Sequence, residues 1–212
     1  MSNLAGTTVE VSKGKVKINE VDHHVIDLPG TYSIYPSSFE EKVGIDYLLS
    51  NKADIDLLVY VADANQLFRN LLFFSQLSGL DIPMLLLVNM WDTEDFSTKI
   101  DLNNLNSELG VQVIAYSAKE YKTFPKLTEV LQNAFEHPAK SRYFLQDKSQ
   151  ESLLVQENEG QKVERSNHTI FLYKKISKLW EYYGKVFFQN KESSGAITKI
   201  VPFTKNILLL KD

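Results

Sequence analysis

Four short polar segments carry the side chains in this sequence that could do chemistry: Asp27-Leu-Pro-Gly30, Asp63-Ala-Asn65, Asn89-Met-Trp-Asp92 and Ser117-Ala-Lys119. They offer carboxylates, carboxamides, a hydroxyl and a lysine. A carboxylate such as that of Asp92 can accept two hydrogen bonds at once from an edge that presents paired N–H donors. Oxygen ligands of the Asp and Thr type suit a hard cation. Cysteine is absent, which removes disulfides, thiolate metal sites, iron–sulfur clusters and Cys nucleophiles together. His23 and His24 are adjacent on a strand-like stretch and face opposite ways, and His137 and His168 stand apart. A histidine metal site is not expected.

Each polar segment directly follows a strand signal. Val9 to Ile18 alternates apolar and polar residues, as a half-exposed strand or hairpin does. His24 to Asp27 is a short strand, and Leu57 to Ala62 and Met84 to Val88 are apolar enough to be buried on both faces. Val111 to Tyr116 is a further strand. Helical patterns lie between them. Ser37 and Ser38 with Glu40 and Glu41 start a helix that runs to about Ser50. Gln66 to Leu80, Asp101 to Leu109 (stopped at Gly110) and Phe124 to Glu136 (stopped at His137-Pro138) complete the set. Apolar strands alternating with amphipathic helices predict a mostly parallel α/β sheet covered on both faces. Ligands in such sheets bind beyond the carboxyl ends of the strands, which is where the four segments lie.

The chain has 212 residues, 43% hydrophobic and 24% charged, with a formal net charge of −4. That is a globular composition, and it argues against a broad nucleic-acid surface, which needs clustered Lys and Arg. No apolar run approaches the roughly 20 residues that span a bilayer. The N-terminal stretch has neither the basic nor the apolar region of a signal peptide, so the chain reads as soluble and intracellular. Residues 1–138 form the expected α/β domain. Residues 139–166, rich in Gln, Glu, Lys and Ser, read as a linker or mobile loop, and residues 167–212 as an extension. Within it Asn167 to Asn190 has helical spacing, and its aromatics could pack on the domain or meet a membrane or partner surface. The tail Asn206-Ile-Leu-Leu-Leu210 is strand-like and apolar on both faces.

Asp27-Leu-Pro-Gly30, Asn89-Met-Trp-Asp92 and Ser117-Ala-Lys119 resemble, in order and spacing, the third, fourth and fifth signature motifs of small GTPase domains. Longer blocks narrow the resemblance. Asn3-Leu-Ala-Gly-Thr-Thr-Val-Glu10, Asp27-Leu-Pro-Gly-Thr-Tyr-Ser33, Asp63-Ala-Asn-Gln-Leu-Phe-Arg-Asn-Leu71 and Asp81-Ile-Pro83 leading into Asn89 are similar to the G domain of the ferrous iron transport protein B family, over about residues 3–137. The resemblance implies a P-loop-NTPase-like fold that binds GTP or GDP with Mg²⁺. It implies a guanine pocket of Asn89, Asp92, Ser117, Ala118 and Lys119. Asp92 would accept from guanine N1 and its 2-amino group, the Ala118 amide would sit near the guanine oxygen, and the Lys119 stem would lie over the ring. Adenine offers no such donor pair, and a site built around a hydrogen-bonding group can reject the wrong partner by about 10⁴-fold. Asp27 and Thr8 would hold Mg²⁺, and the Gly30 amide would meet the γ-phosphate. A tethered membrane iron-transport channel is an implied partner, and the inner face of the cell membrane an implied location.

The sequence differs from the small-GTPase pattern in three places. The fourth motif carries Met90 where small GTPases carry Lys, as the iron-transport family does. Thr31 follows Gly30 where Ras-like enzymes place a water-positioning Gln. The family's first strand, Gly-rich phosphate loop and following helix are not found, and G-x-x-x-x-G-K-[ST] occurs nowhere in residues 1–212. We therefore read an N-terminally truncated G domain. About four charge-assisted phosphate contacts, at roughly 1.5–3 kcal/mol each, amount to about 6–12 kcal/mol, enough to turn a micromolar binder into a millimolar one. The expectation is a guanine-nucleotide domain impaired in hydrolysis. The alternative is a non-catalytic interaction module, or a decayed fragment of that family. In related G domains the first strand sits between the strands that correspond to His24–Asp27 and Leu57–Ala62. Either the apolar tail Ile207 to Leu210 fills or covers that slot, or the tail packs elsewhere or is disordered and the missing strand belongs to a lost N-terminus.

Overall fold

A computed structural model describes residues 11–98, 100–141 and 205–211. Thr8, the expected linker beyond Ser141 and the expected helix of residues 167–190 lie outside the described residues. The chain opens with β1 (Ser12–Ile18) and β2 (Val21–Leu28), an antiparallel hairpin closed by Asn19 and Glu20. Both turn residues have positive φ, 48° and 63°, which matches the right-handed twist of the flanking strands. Helix α1 (Phe39–Ser50) follows. Its cap forms as the sequence signals: Ser38 Oγ accepts from Glu41 N at 3.2 Å, while the Glu41 carboxylate accepts from Ser37 N at 2.7 Å.

Strand β3 (Leu57–Asp63) leads through a short turn into α2 (Leu67–Leu77). Strand β4 (Met84–Asn89), helix α3 (Leu102–Leu109), strand β5 (Gln112–Ala115) and helix α4 (Phe124–Glu136) complete the α/β portion. Asp101 caps α3 by accepting from the Asn103 and Asn104 amides, and Gly110 ends it at φ 68°, a conformation that costs other residues about 1–2 kcal/mol. Last comes β6 (Lys205–Lys211).

Among the described residues the sheet has six strands, in the order β1-β2-β6-β3-β4-β5. β3, β4 and β5 are parallel. β6 lies between β2 and β3 and is antiparallel to both. Residues from α1, α2 and α3 share one core with Ile26, Leu58, Tyr60, Leu86 and Val88. Val130 and Ala134 of α4 share the other with Leu57, Val59, Val61, Leu85 and Leu87. Consecutive β3 residues point to opposite faces and all are buried through Ala62, so both faces must be covered. The fold class expected from sequence is the one observed. The strand direction is not uniformly parallel, because the tail enters the slot in reverse and β1 folds back on β2 as a hairpin.

β6 is an interior strand antiparallel to both neighbours, so its residues bond alternately to one side and the other. Leu208 is in register with Ile26 on one side and Leu58 on the other. Leu208→Pro removes a ladder N–H and orphans a carbonyl partner, at about 1–3 kcal/mol before any distortion is counted. The urea midpoint of the variant should fall accordingly. An unchanged midpoint would show that the tail contributes nothing to the sheet.

Candidate functional site

The carboxyl ends of β2, β3, β4 and β5 carry the four polar segments to one edge of the sheet. Asp27 is the penultimate residue of β2, Asp63 closes β3, and Asn89 closes β4 in register with Asp63. Ser117 follows β5 after two residues. β2 and β4 are separated by three strand spacings, roughly 14 Å. A ligand with chemically different ends could therefore use both flanks of the edge.

The loops after β4 and β5 are tied together directly. Ser117 Oγ donates to Asp92 Oδ1 at 2.5 Å, and the Ala118 amide donates to Asn89 Oδ1 at 3.1 Å. The backbone adds Trp91 N to Tyr116 O at 3.2 Å and Tyr116 N to Val88 O at 2.8 Å. Asn89, Asp92, Ser117 and Ala118 thus converge, and Lys119 is close enough for its charge to act on Asp92. Ser117 is buried, whereas Asp92, Ala118 and Lys119 are exposed. Sequence reasoning expected the Ala118 amide to face a ligand oxygen, but it is engaged with Asn89, which a ligand must share or displace.

Two features let Asp92 reach solvent while its neighbour is held. Trp91 turns toward the core, with its ring 5.4 Å from that of Phe96. Met90 sits at φ 62°, a left-handed conformation that is strained for a side chain of its size. Its carbonyl accepts from Thr93 N at 3.2 Å and Thr93 Oγ1 at 2.8 Å. Thr93 Oγ1 also meets Asn65 Nδ2 at 3.1 Å, and Asn65 N and Nδ2 donate to Asp63 Oδ1 at 2.8 and 3.0 Å. Asn65 and Thr93 therefore link the loop after β3 to the loop that presents Asp92. Sequence reasoning assigned neither a role. The available signal was the Asp-x-Asn turn pattern at Asp63.

The Asp27-Leu-Pro-Gly30 loop is fixed from behind. Gly44 of α1 lies so close to it that an added Cβ would stand 3.3 Å from the Pro29 ring and 3.6 Å from Thr31 Oγ1. Buried Gln76 of α2 accepts from Ile34 N at 2.9 Å and from Ser33 Oγ at 3.2 Å. Gly30 is exposed, whereas Thr31 is buried and its hydroxyl donates to Pro29 O at 2.9 Å. A separate cleft of about 710 Å³, lined by His23, Ile55, Pro83, Phe135 and Lys140 among others, opens at the opposite end of the strands, away from all four segments. Among the described residues no helix is long and apolar enough to cross a membrane.

A family model described as ferrous iron transport protein B matches residues 1–131. The chain belongs to this family. The Fe(2+) transporter FeoB of Campylobacter jejuni is 36% identical over 137 residues, covering 64% of this chain and 22% of that protein. The chain thus spans about a fifth of that relative's length. Among solved structures, the cytosolic domain of the T. maritima FeoB iron transporter in its GMPPNP form aligns with a TM-score of 0.66 at 22% identity, covering 86% of this chain and 88% of that one. The FeoB G-domain of Methanococcus jannaschii aligns at 0.55 and 32% identity, covering 63% and 83%. NFeoB from S. thermophilus bound to GDP.AlF4- and K+ aligns at 0.55 and 27%, covering 85% and 89%. The chain is related to the N-terminal G domain of a ferrous iron transporter.

Hydrogen bonding from Ser117 holds the Asp92 carboxyl below its ordinary value of 3.8, with its own backbone amide and the Lys119 charge adding to the effect and slight burial opposing it. Because the folded value is the depressed one, the associated stabilisation is present above the ordinary carboxylate value and is lost as pH falls through the folded value. Ser117→Ala should move the Asp92 titration upward toward 3.8 in a ¹³C NMR pH series. An unchanged midpoint would show that the hydroxyl does not hold the carboxylate.

Proposed function

We propose that this chain is a guanine-nucleotide-binding domain, with Asn89, Asp92, Ser117, Ala118 and Lys119 reading the base. The observation that carries this is the coupling of the β4 and β5 loops through Ser117–Asp92 and Asn89–Ala118. It leaves one exposed carboxylate, held ionised, on a pair of loops otherwise fixed to each other. Such a carboxylate selects an edge with adjacent N–H donors, which guanine presents and adenine does not. The GMPPNP form and the GDP.AlF4- complex of the related structures accord with this reading. The Gly30 amide lies on the phosphate side. Asp27 with Thr8 would hold Mg²⁺, whose hard character fits those oxygens.

Hydrolysis by residues 1–212 is slow in this account. Thr31 stands where Ras-like enzymes use a glutamine, and its hydroxyl is committed to Pro29 inside the protein, so it does not position water. The given sequence also holds no Gly-rich phosphate loop, the source of most transition-state electrostatics in that class. The role in the cell is regulatory: a cytoplasmic nucleotide domain acting on a membrane channel for ferrous iron at the inner face of the membrane.

Asp92→Asn replaces an acceptor with a donor. GDP affinity, measured by calorimetry, should fall by at least about 100-fold, and xanthosine diphosphate should become the better ligand. Equal GDP binding by both proteins would contradict the base pocket. Phosphate release from GTP should not exceed the buffer blank. Release well above it that disappears in Asp27→Ala would overturn the proposed impairment.

A further inference from the structure

A segment that meets phosphate must present its groups at a fixed place. The Asp27-Leu-Pro-Gly30 segment runs into residues with no regular element before Phe39, and residues 27–38 hold no lysine or arginine. What packs against it must therefore hold it. Two holds are already described: Gly44 of α1 against Pro29, and Gln76 of α2 on Ser33 and Ile34. Tyr32, between them in sequence, supplies a third.

The Arg69 guanidinium stands over the Tyr32 ring, with Cζ 4.8 Å from its centroid. Arg69 is exposed, in the first turn of α2. At that distance the negative face of the ring attracts the cation, and a guanidinium is weakly enough hydrated to stack without losing much. The far end of Tyr32 is inside. Its hydroxyl is buried and meets no hydrogen-bond partner among the described residues. Tyr60 of β3 is near it: burial pushes the Tyr60 hydroxyl up, and Tyr32 adds to the effect. A buried hydroxyl without a partner opposes the seat it occupies. Tyr32 is therefore kept in place by the burial of its ring and by the Arg69 stack. Gly30 is two residues away, about 7 Å of chain at most, so a Tyr32 that leaves its seat frees the Gly30 amide with it.

We propose that Arg69 is a positioning residue for the phosphate side of the site, acting through Tyr32 to hold the Asp27-Leu-Pro-Gly30 segment, an inference that rests on the nucleotide reading above. The stack ties the loop after β2 to the helix that follows β3. A ligand that needs the segment seated binds in proportion to the fraction of molecules in which it is seated, and the stack raises that fraction. The loops after β4 and β5 have their own bonds, Ser117–Asp92 and Asn89–Ala118, and do not use it. The effect therefore falls on a ligand that carries phosphate and spares a nucleoside. The competing account makes Arg69 a direct phosphate contact and Tyr32 a bystander.

The test is calorimetric titration of the full 212-residue chain with GDP and with guanosine, for wild type, Arg69→Ala, Tyr32→Leu, Tyr32→Phe and the double variant Arg69→Ala/Tyr32→Leu. Arg69→Ala should weaken GDP by about threefold to tenfold and leave guanosine unchanged, which also reports that the chain is folded. Tyr32→Leu should show the same split. The double variant should lose no more than the larger single loss, because both changes break one contact. Tyr32→Phe keeps the ring face and should recover most of what Tyr32→Leu loses. The proposal is overturned if Arg69→Ala binds GDP normally, if guanosine falls in step with GDP, if the single losses add, or if Tyr32→Phe loses as much as Tyr32→Leu. Normal GDP binding by Tyr32→Leu, with the Arg69→Ala loss intact, overturns it in favour of direct phosphate contact. Wild type binding guanosine as tightly as GDP overturns the positioning role while leaving the base site standing. Wild type binding neither overturns both.

Discussion

The arrangement depends on one constraint: an interior strand must have its backbone groups paired on both sides. β3 is buried on both faces, so neither of its ladders can be left to water. β4 satisfies one ladder. The other is satisfied by β6, a segment from the far end of the sequence. β2 depends on the same strand, since β1 covers only its outer side. Remove β6 and the hairpin carrying Asp27 has no direct pairing with the strands carrying Asp63 and Asn89. The cost of recruiting so distant a segment grows only slowly with loop length, whereas each orphaned buried group costs about 1–3 kcal/mol.

With the sheet closed, the site follows from strand direction. Parallel β3, β4 and β5 deliver Asp63, Asn89 and the Ser117 loop to one edge. Short hydrogen bonds then turn neighbouring loops into one rigid rim. Asn65 and Thr93 connect the first two loops, and the Asn89–Ala118 and Asp92–Ser117 pairs connect the last two. Met90 holds a strained backbone conformation inside this network. Such strain persists where surrounding bonds over-determine it. Nearly every polar group at the rim is thereby positioned before a ligand arrives, which is what selective recognition of one base edge requires.

Much of this was legible in the sequence for local reasons. The helix caps at Ser38 and Asp101 and the Gly110 stop are written in residues next to the structures they form. The buried strands announce themselves by apolar runs of strand length. The convergence of Asn89, Asp92, Ser117 and Ala118 was legible because the strand-end rule applies to any such sheet. What was not legible is nonlocal. An apolar strand such as Asn206 to Leu210 reads the same in both directions, so composition could suggest that it fills the slot but not that it enters reversed. The Asn65–Thr93 link joins two ordinary polar residues from different loops, and neither has a local signature that names the other. The inward turn of Thr31 is set by Gly44, Pro29 and the packing of α1, which only the assembled fold reveals.

Amide hydrogen exchange on the whole chain tests the account at its centre. If β6 is the strand that closes the sheet, the amides of Ile207 to Leu210 should be protected to the same degree as those of Leu58 to Val61, because the two segments share one ladder. Exchange of residues 207–210 at the rate of a free peptide, with β3 still protected, would contradict it. The slot between β2 and β3 would then have to be filled by something other than this tail.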